Sequence, residues 1–257
     1  MLKSWEINEE ECCSYLTNNY GDKFTLEGLH NSNISDIKVK NNNFYIEVKS
    51  IKSQCGQFVL LEENNEFIYS NKNKTSINKY SDCIITYMNN NFYLFTNVTS
   101  KPIDIILDTN IFYSWVKNFY KLKNVKYFIT KVNSNNYIII PIYSIDNYFN
   151  ISACYRVKKS GSSNITKNNF DEIKSLLNNI DFTFVEKNGK IFIKTKYNIN
   201  EKLKGEIYTY QFKLVEKDLY KIRRLSNTNN PNVIFSIELI KKEQDENDLK
   251  LFLEDIK

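Results

Sequence analysis

Two acids and one amine sit at alternating positions of a short stretch that reads Ser35-Asp36-Ile37-Lys38-Val39-Lys40-Asn41-Asn42-Asn43-Phe44-Tyr45-Ile46-Glu47-Val48-Lys49. Two alternating runs flank an Asn cluster, and Asn tolerates the positive φ that tight turns need, so the stretch predicts a β-hairpin. Its register follows from the pattern. Directly opposed residues of an antiparallel pair share a face, so Val39 must oppose Phe44 and Ile37 must oppose Ile46. Asn41-Asn42 is then the loop, Asp36 lies opposite Glu47, and Lys49 follows two residues along the same face. Cross-strand Cβ atoms in such a pair are about 4.5–5.5 Å apart. Two carboxylates so close repel unless a cation neutralises them, and oxygen ligands of this kind suit Mg²⁺. A metal held there would polarise a phosphodiester and acidify a bound water. Lys49 beside it would orient that water or offset developing charge. The same pattern also fits a solvated hairpin face with a Lys–Glu pair. Glu172-Ile-Lys174 has the same acid-x-Lys spacing, but it falls on a predicted helix, where residues two apart do not face each other.

Composition removes several alternatives. The chain has 257 residues, 25% of them charged, with six Gly, three Pro and one His. Neither GxGxxG nor GxxxxGK occurs, so no Gly-rich phosphate cradle is encoded. A single histidine, His30, excludes HExxH zinc sites, and any Ser-His-Asp or Cys-His catalysis would have to run through it. Five cysteines without a CxxC pair read as thiols in a reducing compartment. The acidic N-terminal stretch has no apolar leader core, and the longest apolar run, Tyr137 to Ile145, is too short for a bilayer and contains Pro141. The expectation is a soluble cytoplasmic protein.

Charge is unevenly placed. Residues 1–150 carry 15 basic and 15 acidic groups, whereas residues 151–232 carry 16 basic against 8 acidic, net +8. The last 25 residues carry 4 against 7. All three arginines, Arg156, Arg223 and Arg224, lie in the basic segment, and only guanidinium offers a planar fork for guanine edges or phosphate. Such a segment points to a polyanionic partner.

The elements that must position these groups read as a mixed α/β core. A helix over residues 5–19 precedes strands at Phe24–Leu29, Ile34–Lys40, Phe44–Ser50 and Phe58–Leu61, followed by a polar, loop-like stretch over 62–80. Strands are expected at Cys83–Met88 and Phe92–Asn97, a helix over 109–122, and strands at Tyr127–Val132 and Tyr137–Ile142. A second region opens with a loop over Arg156–Asn164, then a helix with the apolar stripe Phe170, Ile173, Leu176, Leu177 and Ile180. Strands follow around Phe182, Ile191, Tyr208 and Leu219 and at Val233–Leu239, with an amphipathic helix at the end. The charge step sets the predicted division: residues 1–149 as a core and residues 150–257 as a basic region.

Asp36, Glu47 and Lys49, with a helix before and strands after, resemble the Asp…Glu-x-Lys motif of the PD-(D/E)XK nuclease superfamily. Ser35 stands where the signature has Pro. The continuation Ser53-Gln54-Cys55-Gly56-Gln57-Phe58-Val59-Leu60 is similar to stretches that follow this motif in some type II restriction endonucleases. The resemblance implies an α/β (α+β mixed sheet) nuclease core with a C-terminal recognition region, and Mg²⁺-dependent, sequence-specific hydrolysis of double-stranded DNA. Asp36, Glu47 and Val48 would form the metal set and Lys49 would assist the water. Gln54 or Gln57 would support the site, Gln57 being the catalytic candidate, and one of Glu9, Glu10 and Glu11 would join it. A homodimer on a palindromic site and a methyltransferase companion are also implied. DNA would be read by Arg156, Lys158, Lys159, Ser160, Ser162 and Ser163 in the loop, and by Arg223 and Asn227 further on. If Lys221–Leu225 is a strand, Arg223 faces outward as the base reader and Arg224 serves as a structural ion pair. A non-catalytic DNA binder, or a repair or RNA-processing nuclease, are the alternatives.

Overall fold

A computed structural model describes residues 4–27, 35–40, 42–71, 73, 76–96, 101–159, 161–187, 189–226 and 229–257. Asn41, His30, Ser160 and Asn227 lie outside the described residues, as do the side chains of Lys159 and Asn229. The chain forms two compact units, one from residues 1–156 and 231–257 and the other from residues 157–230. This corrects the expected single division at 150. The last 27 residues rejoin the first unit, because Phe252 and Ile256 of the C-terminal helix Glu246–Asp255 are buried in its core. The charge pattern steps at both ends of the basic unit, near 151 and 232, and the expected division used only the first step.

The first unit is built on a five-stranded sheet in the spatial order Phe24–Leu26, Ile37–Val39, Phe44–Val48, Val125–Asn133, Asn136–Pro141. Every pairing is antiparallel except Phe44–Val48 with Val125–Asn133. The hairpin register is the one its binary pattern dictates: Ile37 opposes Ile46 and Val39 opposes Phe44. Asn43 supplies a positive φ of 48° at the turn. One sheet face packs Ile37, Val39, Phe44, Ile46 and Val48 against Cys12 and Leu16 of the N-terminal helix Ser4–Tyr20, together with Phe252 and Ile256. Phe128, on the other face, meets Tyr120 of the helix Thr109–Leu122 edge to face at 4.8 Å. The central strand is therefore covered on both sides, and its burial no longer alternates.

A second five-stranded sheet follows the order Glu66–Tyr69, Lys52–Glu63, Asn229–Leu239, Phe149–Lys159, Ile103–Asp104. The polar stretch over 62–80, expected as loop, opens with a hairpin. Asn64 and Asn65, with φ of 51° and 62°, make a tight hairpin turn between Glu63 and Glu66. The stretches Cys83–Met88 and Phe92–Asn97, expected as strands from their β-branched and aromatic content, are helical: Lys79–Asn90 and Phe92–Thr96. Two signals outweighed propensity there. Asn78 and Ser81 form a reciprocal capping box, and Ser81, Ile84 and Met88 fall on one buried helical stripe.

Gly56 locks this sheet to the Thr109–Leu122 helix. It has φ of +140°, and a Cβ on it would lie 2.7 Å from Cζ3 of Trp115. The Trp115 indole donates to Ser81 Oγ at 2.8 Å and stacks on Phe235 at 3.9 Å. Only glycine allows the strand to approach that ring so closely.

The second unit is a sheet in the order Thr183–Lys187, Lys190–Lys194, Leu219–Leu225, Thr209–Glu216, Lys202–Lys204, with Ser163–Asn164 also paired to Leu219–Leu225. Ile173 of the helix Phe170–Leu176, Leu177 just after it, and Ile165 pack on Ile193, Tyr210, Phe212, Tyr220 and Ile222 from one sheet face. Glu172 fastens the helix. Its Oε1 accepts the N–H groups of Ile207 (2.8 Å) and Tyr208 (3.0 Å), and its Oε2 accepts the Tyr210 hydroxyl at 2.5 Å.

Candidate active site

The hairpin places the three expected groups together. Asp36 lies one residue before the strand Ile37–Val39, and its Oδ2 accepts the Val48 N–H at 2.8 Å. Glu47 and Lys49, each 8% exposed, meet at 2.8 Å between Oε1 and Nζ. Tyr120 donates its hydroxyl to the same Glu47 Oε1 at 3.2 Å. The Lys49 ammonium also stands 5.4 Å from the Tyr120 ring centroid and 5.9 Å from that of Phe128. The alternative of a solvated hairpin face is thereby removed. Glu47 opposes Phe128 on the parallel neighbour, and Tyr120 closes over both. Buried charges persist only when paired and hydrogen-bonded, and this pair is both.

Of the three acids in the N-terminal helix, Glu9 is the buried one within electrostatic reach of Glu47 and Lys49. Glu9, Cys12 and Leu16 form the buried stripe, and Glu9 is 9% exposed. Its Oε2 is buried without a hydrogen-bond partner. Glu11 turns away to Lys131, 2.7 Å from it. Burial, followed by the charge of Glu47, pushes the Glu9 carboxyl up to about 7. The same two causes push Asp36 up to about 7, against the pull of Lys49 and the Val48 N–H. Burial works on Glu47 in the same direction, but Lys49 more than offsets it and holds the carboxyl below its usual value. Lys49 is held well above its usual value because Glu47 outweighs the cost of burying its charge.

These groups fit a hard divalent cation. The donors are all carboxylate oxygens, and the orphaned Glu9 Oε2 is a buried acceptor in need of a partner. Among the described residues no three His, Cys, Asp or Glu side chains gather closely enough to cage an ion alone. Mg²⁺ in general keeps several waters and shares its shell with a substrate phosphate. Val48, expected in the metal set, gives its N–H to Asp36 and buries its side chain in the core.

The remaining expected residues are placed differently. A β-bulge at Cys55–Gly56, where the pairing with Phe235 and Ser236 slips, turns Gln57 to the exposed side, and Gln54 is exposed as well. Cys55 takes the buried position, within electrostatic reach of Lys49 and Glu47, and burial pushes its thiol up to about 12. The expected loop over 156–164 is mostly strand. Arg156 is an exposed residue within Phe149–Lys159, and Lys158 in the same strand is half-buried. Ser163 and Asn164 pair with Arg224 and Arg223. Arg223 falls on the sheet face of Lys221 and Arg224 on that of Tyr210, as the alternation predicts, but their partners differ from those expected. Arg223 is half-buried, donates from Nη2 to the Ser162 carbonyl, and keeps its buried Nε unpartnered. Arg224 forms no ion pair among the described residues; it lies 4.4 Å over the Tyr208 ring and donates from Nε to Ser163 Oγ at 3.2 Å.

Tyr120 and Glu9 are the two members of the site that sequence reasoning left unnamed or unresolved. The signal for Glu9 was its place on the Cys12–Leu16 stripe. Tyr120 was visible only as one member of the apolar periodicity over Thr109–Leu122, with a polar tip available to a buried acid.

No family model and no curated protein matches the sequence. Among solved structures, HhaI endonuclease in complex with DNA is 37% identical, with 99% of each chain covered and a TM-score of 0.86. At that identity over nearly its whole length, the chain belongs to the family of HhaI endonuclease, the type II restriction endonucleases that the hairpin motif resembles.

Proposed function

We propose that this chain is a sequence-specific endonuclease that hydrolyses phosphodiester bonds of double-stranded DNA with Mg²⁺ at the Asp36–Glu47–Lys49 site. The observation that carries the reading is the convergence of Asp36, Glu47 and Lys49 with the orphaned carboxylate of Glu9, inside a fold shared at 37% identity with an endonuclease solved on DNA. Mg²⁺ bound there would supply Lewis acidity toward the scissile phosphate and acidify a water. The chain's own groups do the positioning. Asp36, fixed by the Val48 N–H, and Glu9 each keep a carboxylate oxygen available to the ion. Glu47 is oriented by Lys49 and Tyr120, which both bind Oε1 and leave Oε2 as the oxygen for ligation. The Lys49 ammonium, a donor with no acceptor capacity, orients an attacking water or steadies charge on the phosphoryl oxygens. The homodimer, the methyltransferase companion and the cytoplasmic location implied by the resemblance belong to the same proposal. Among the described residues no helix is long and apolar enough to cross a membrane.

Plasmid DNA incubated with the purified chain and Mg²⁺ tests the reading. Discrete fragments are expected, and Asp36→Ala or Glu47→Ala should abolish them while DNA binding in Ca²⁺ persists. A smear would replace sequence-specific cleavage with nonspecific nuclease action. Intact DNA with wild type, or undiminished cutting by either variant, would remove the assignment.

A further inference from the structure

The sheet of the second unit has one face covered by its helix and one face open, and the register sorts the side chains between them. Residues directly opposed across antiparallel strands share a face. Lys213 opposes Lys221, Gln211 opposes Arg223 and Lys202, and Lys204 opposes Thr209, so the four lysines lie together on one face. Tyr210, Phe212, Tyr220 and Ile222, alternating with them, are buried under the helix. Lys202, Lys204 and Lys213 are exposed and Lys221 is half-buried.

At the far side of the same sheet Lys187 pairs with Glu216 at 3.2 Å and Lys194 with Asp218 at 3.5 Å. By contrast, Lys202, Lys204, Lys213 and Lys221 form no ion pair among the described residues, and the nearby Glu201 accepts from Gln211 instead. Lys213 directly facing Lys221 is a like-charge pair that weakens a sheet. Residues 157–230 carry 15 basic against 8 acidic groups, net +7. Strand spacing and rise make the four-lysine patch about 10 Å by 13 Å. Duplex DNA presents one charge per roughly 1.7 Å of axis, a density that matches such an uncompensated array.

We infer that this open face, through Lys202, Lys204, Lys213 and Lys221, is a docking surface for the phosphate backbone of double-stranded DNA. The inference rests on the endonuclease reading and deepens it: these residues grip the duplex without reading its bases.

The test is a salt titration of duplex binding in Ca²⁺ by the full chain. It compares wild type, a variant with all four lysines changed to Gln, the corresponding four-Lys→Arg variant, and a control with Lys167→Gln and Lys174→Gln from the helical layer. Each phosphate contact contributes about 0.9 to the slope of log K against log salt, so the Gln variant should lose about 3 to 4 from that slope. It should also bind at least tenfold more weakly, equally for cognate and scrambled duplex. The Arg variant and the helical-layer control should keep the wild-type slope, and the Arg variant supplies the readout if the Gln variant fails to fold. An unchanged slope in the Gln variant, or a lost slope in the Arg variant, would overturn the inference. A loss confined to cognate DNA would overturn it in favour of base contacts. Wild type that binds no DNA would remove the endonuclease reading itself.

Discussion

The two sheets treat charge in opposite ways. In the catalytic sheet both faces of the central strand are covered, and Glu47 and Lys49 are buried as a hydrogen-bonded pair supported by Tyr120. In the second unit one face stays open, and four lysines stand on it without ion-pair partners. The difference follows from solvation. A charge removed from water must be matched inside the protein, whereas an exposed one can wait for a partner from outside. Only the buried charges must complete their electrostatics during folding.

Perturbing the buried pair should produce the largest effect. Glu47→Gln removes a carboxylate oriented for ligation, and cleavage should fall by at least about 10³-fold while the chain still melts cooperatively. Retention of more than a tenth of the activity would place the chemistry elsewhere. The next effect is on stability. Gly56→Ala sets a Cβ against Trp115 in a backbone conformation that favours glycine, so unfolding free energy should drop by about 2–4 kcal/mol in denaturant titrations. A midpoint equal to wild type would mean that the strand and the Trp115 helix are not locked there.

Tyr120→Phe sharpens the comparison further. It keeps the ring over Lys49 and removes only the hydroxyl from Glu47, so the Mg²⁺ concentration for half-maximal cleavage should rise about 10-fold. An unmoved midpoint would leave Lys49 as the sole orienting group. The smallest effect belongs to the open-faced unit. Burial pushes the Glu172 carboxyl up, but the Tyr210 hydroxyl and the N–H groups of Tyr208 and Ile207 hold it below its usual value. A group depressed on folding stabilises above its unfolded pKa and loses that contribution as pH falls through the folded value. Hydrogen exchange in residues 157–230 should therefore speed up below about pH 4 in wild type. In Glu172→Gln it should already be fast at neutral pH; equal protection in the two proteins would discount this carboxylate as a fastener.

The hairpin was legible because alternation admits one register: a slip of one residue would bury Lys38 and expose Ile37. That reasoning delivered Asp36, Glu47 and Lys49, and helical spacing delivered the Glu9 stripe after the fact. Local β-propensity misled at Ile84-Ile85-Thr86-Tyr87, where capping and the Ser81–Ile84–Met88 stripe decide for helix. The partners of Arg223 and Arg224 were invisible, since Ser162 and Tyr208 are distant from them in sequence. The lysine face was hidden for the same reason: its members occupy three strands, and only their mutual register adds them together.

The strands that lead out of the first unit and back into it, Phe149–Lys159 and Asn229–Leu239, are immediate neighbours in one sheet. Everything between Arg156 and Pro231 thus leaves and returns through two neighbouring strands. A lineage can lengthen, trim or replace that appendage while the cutting apparatus keeps its connectivity. An engineer could graft a foreign module at the same two stumps.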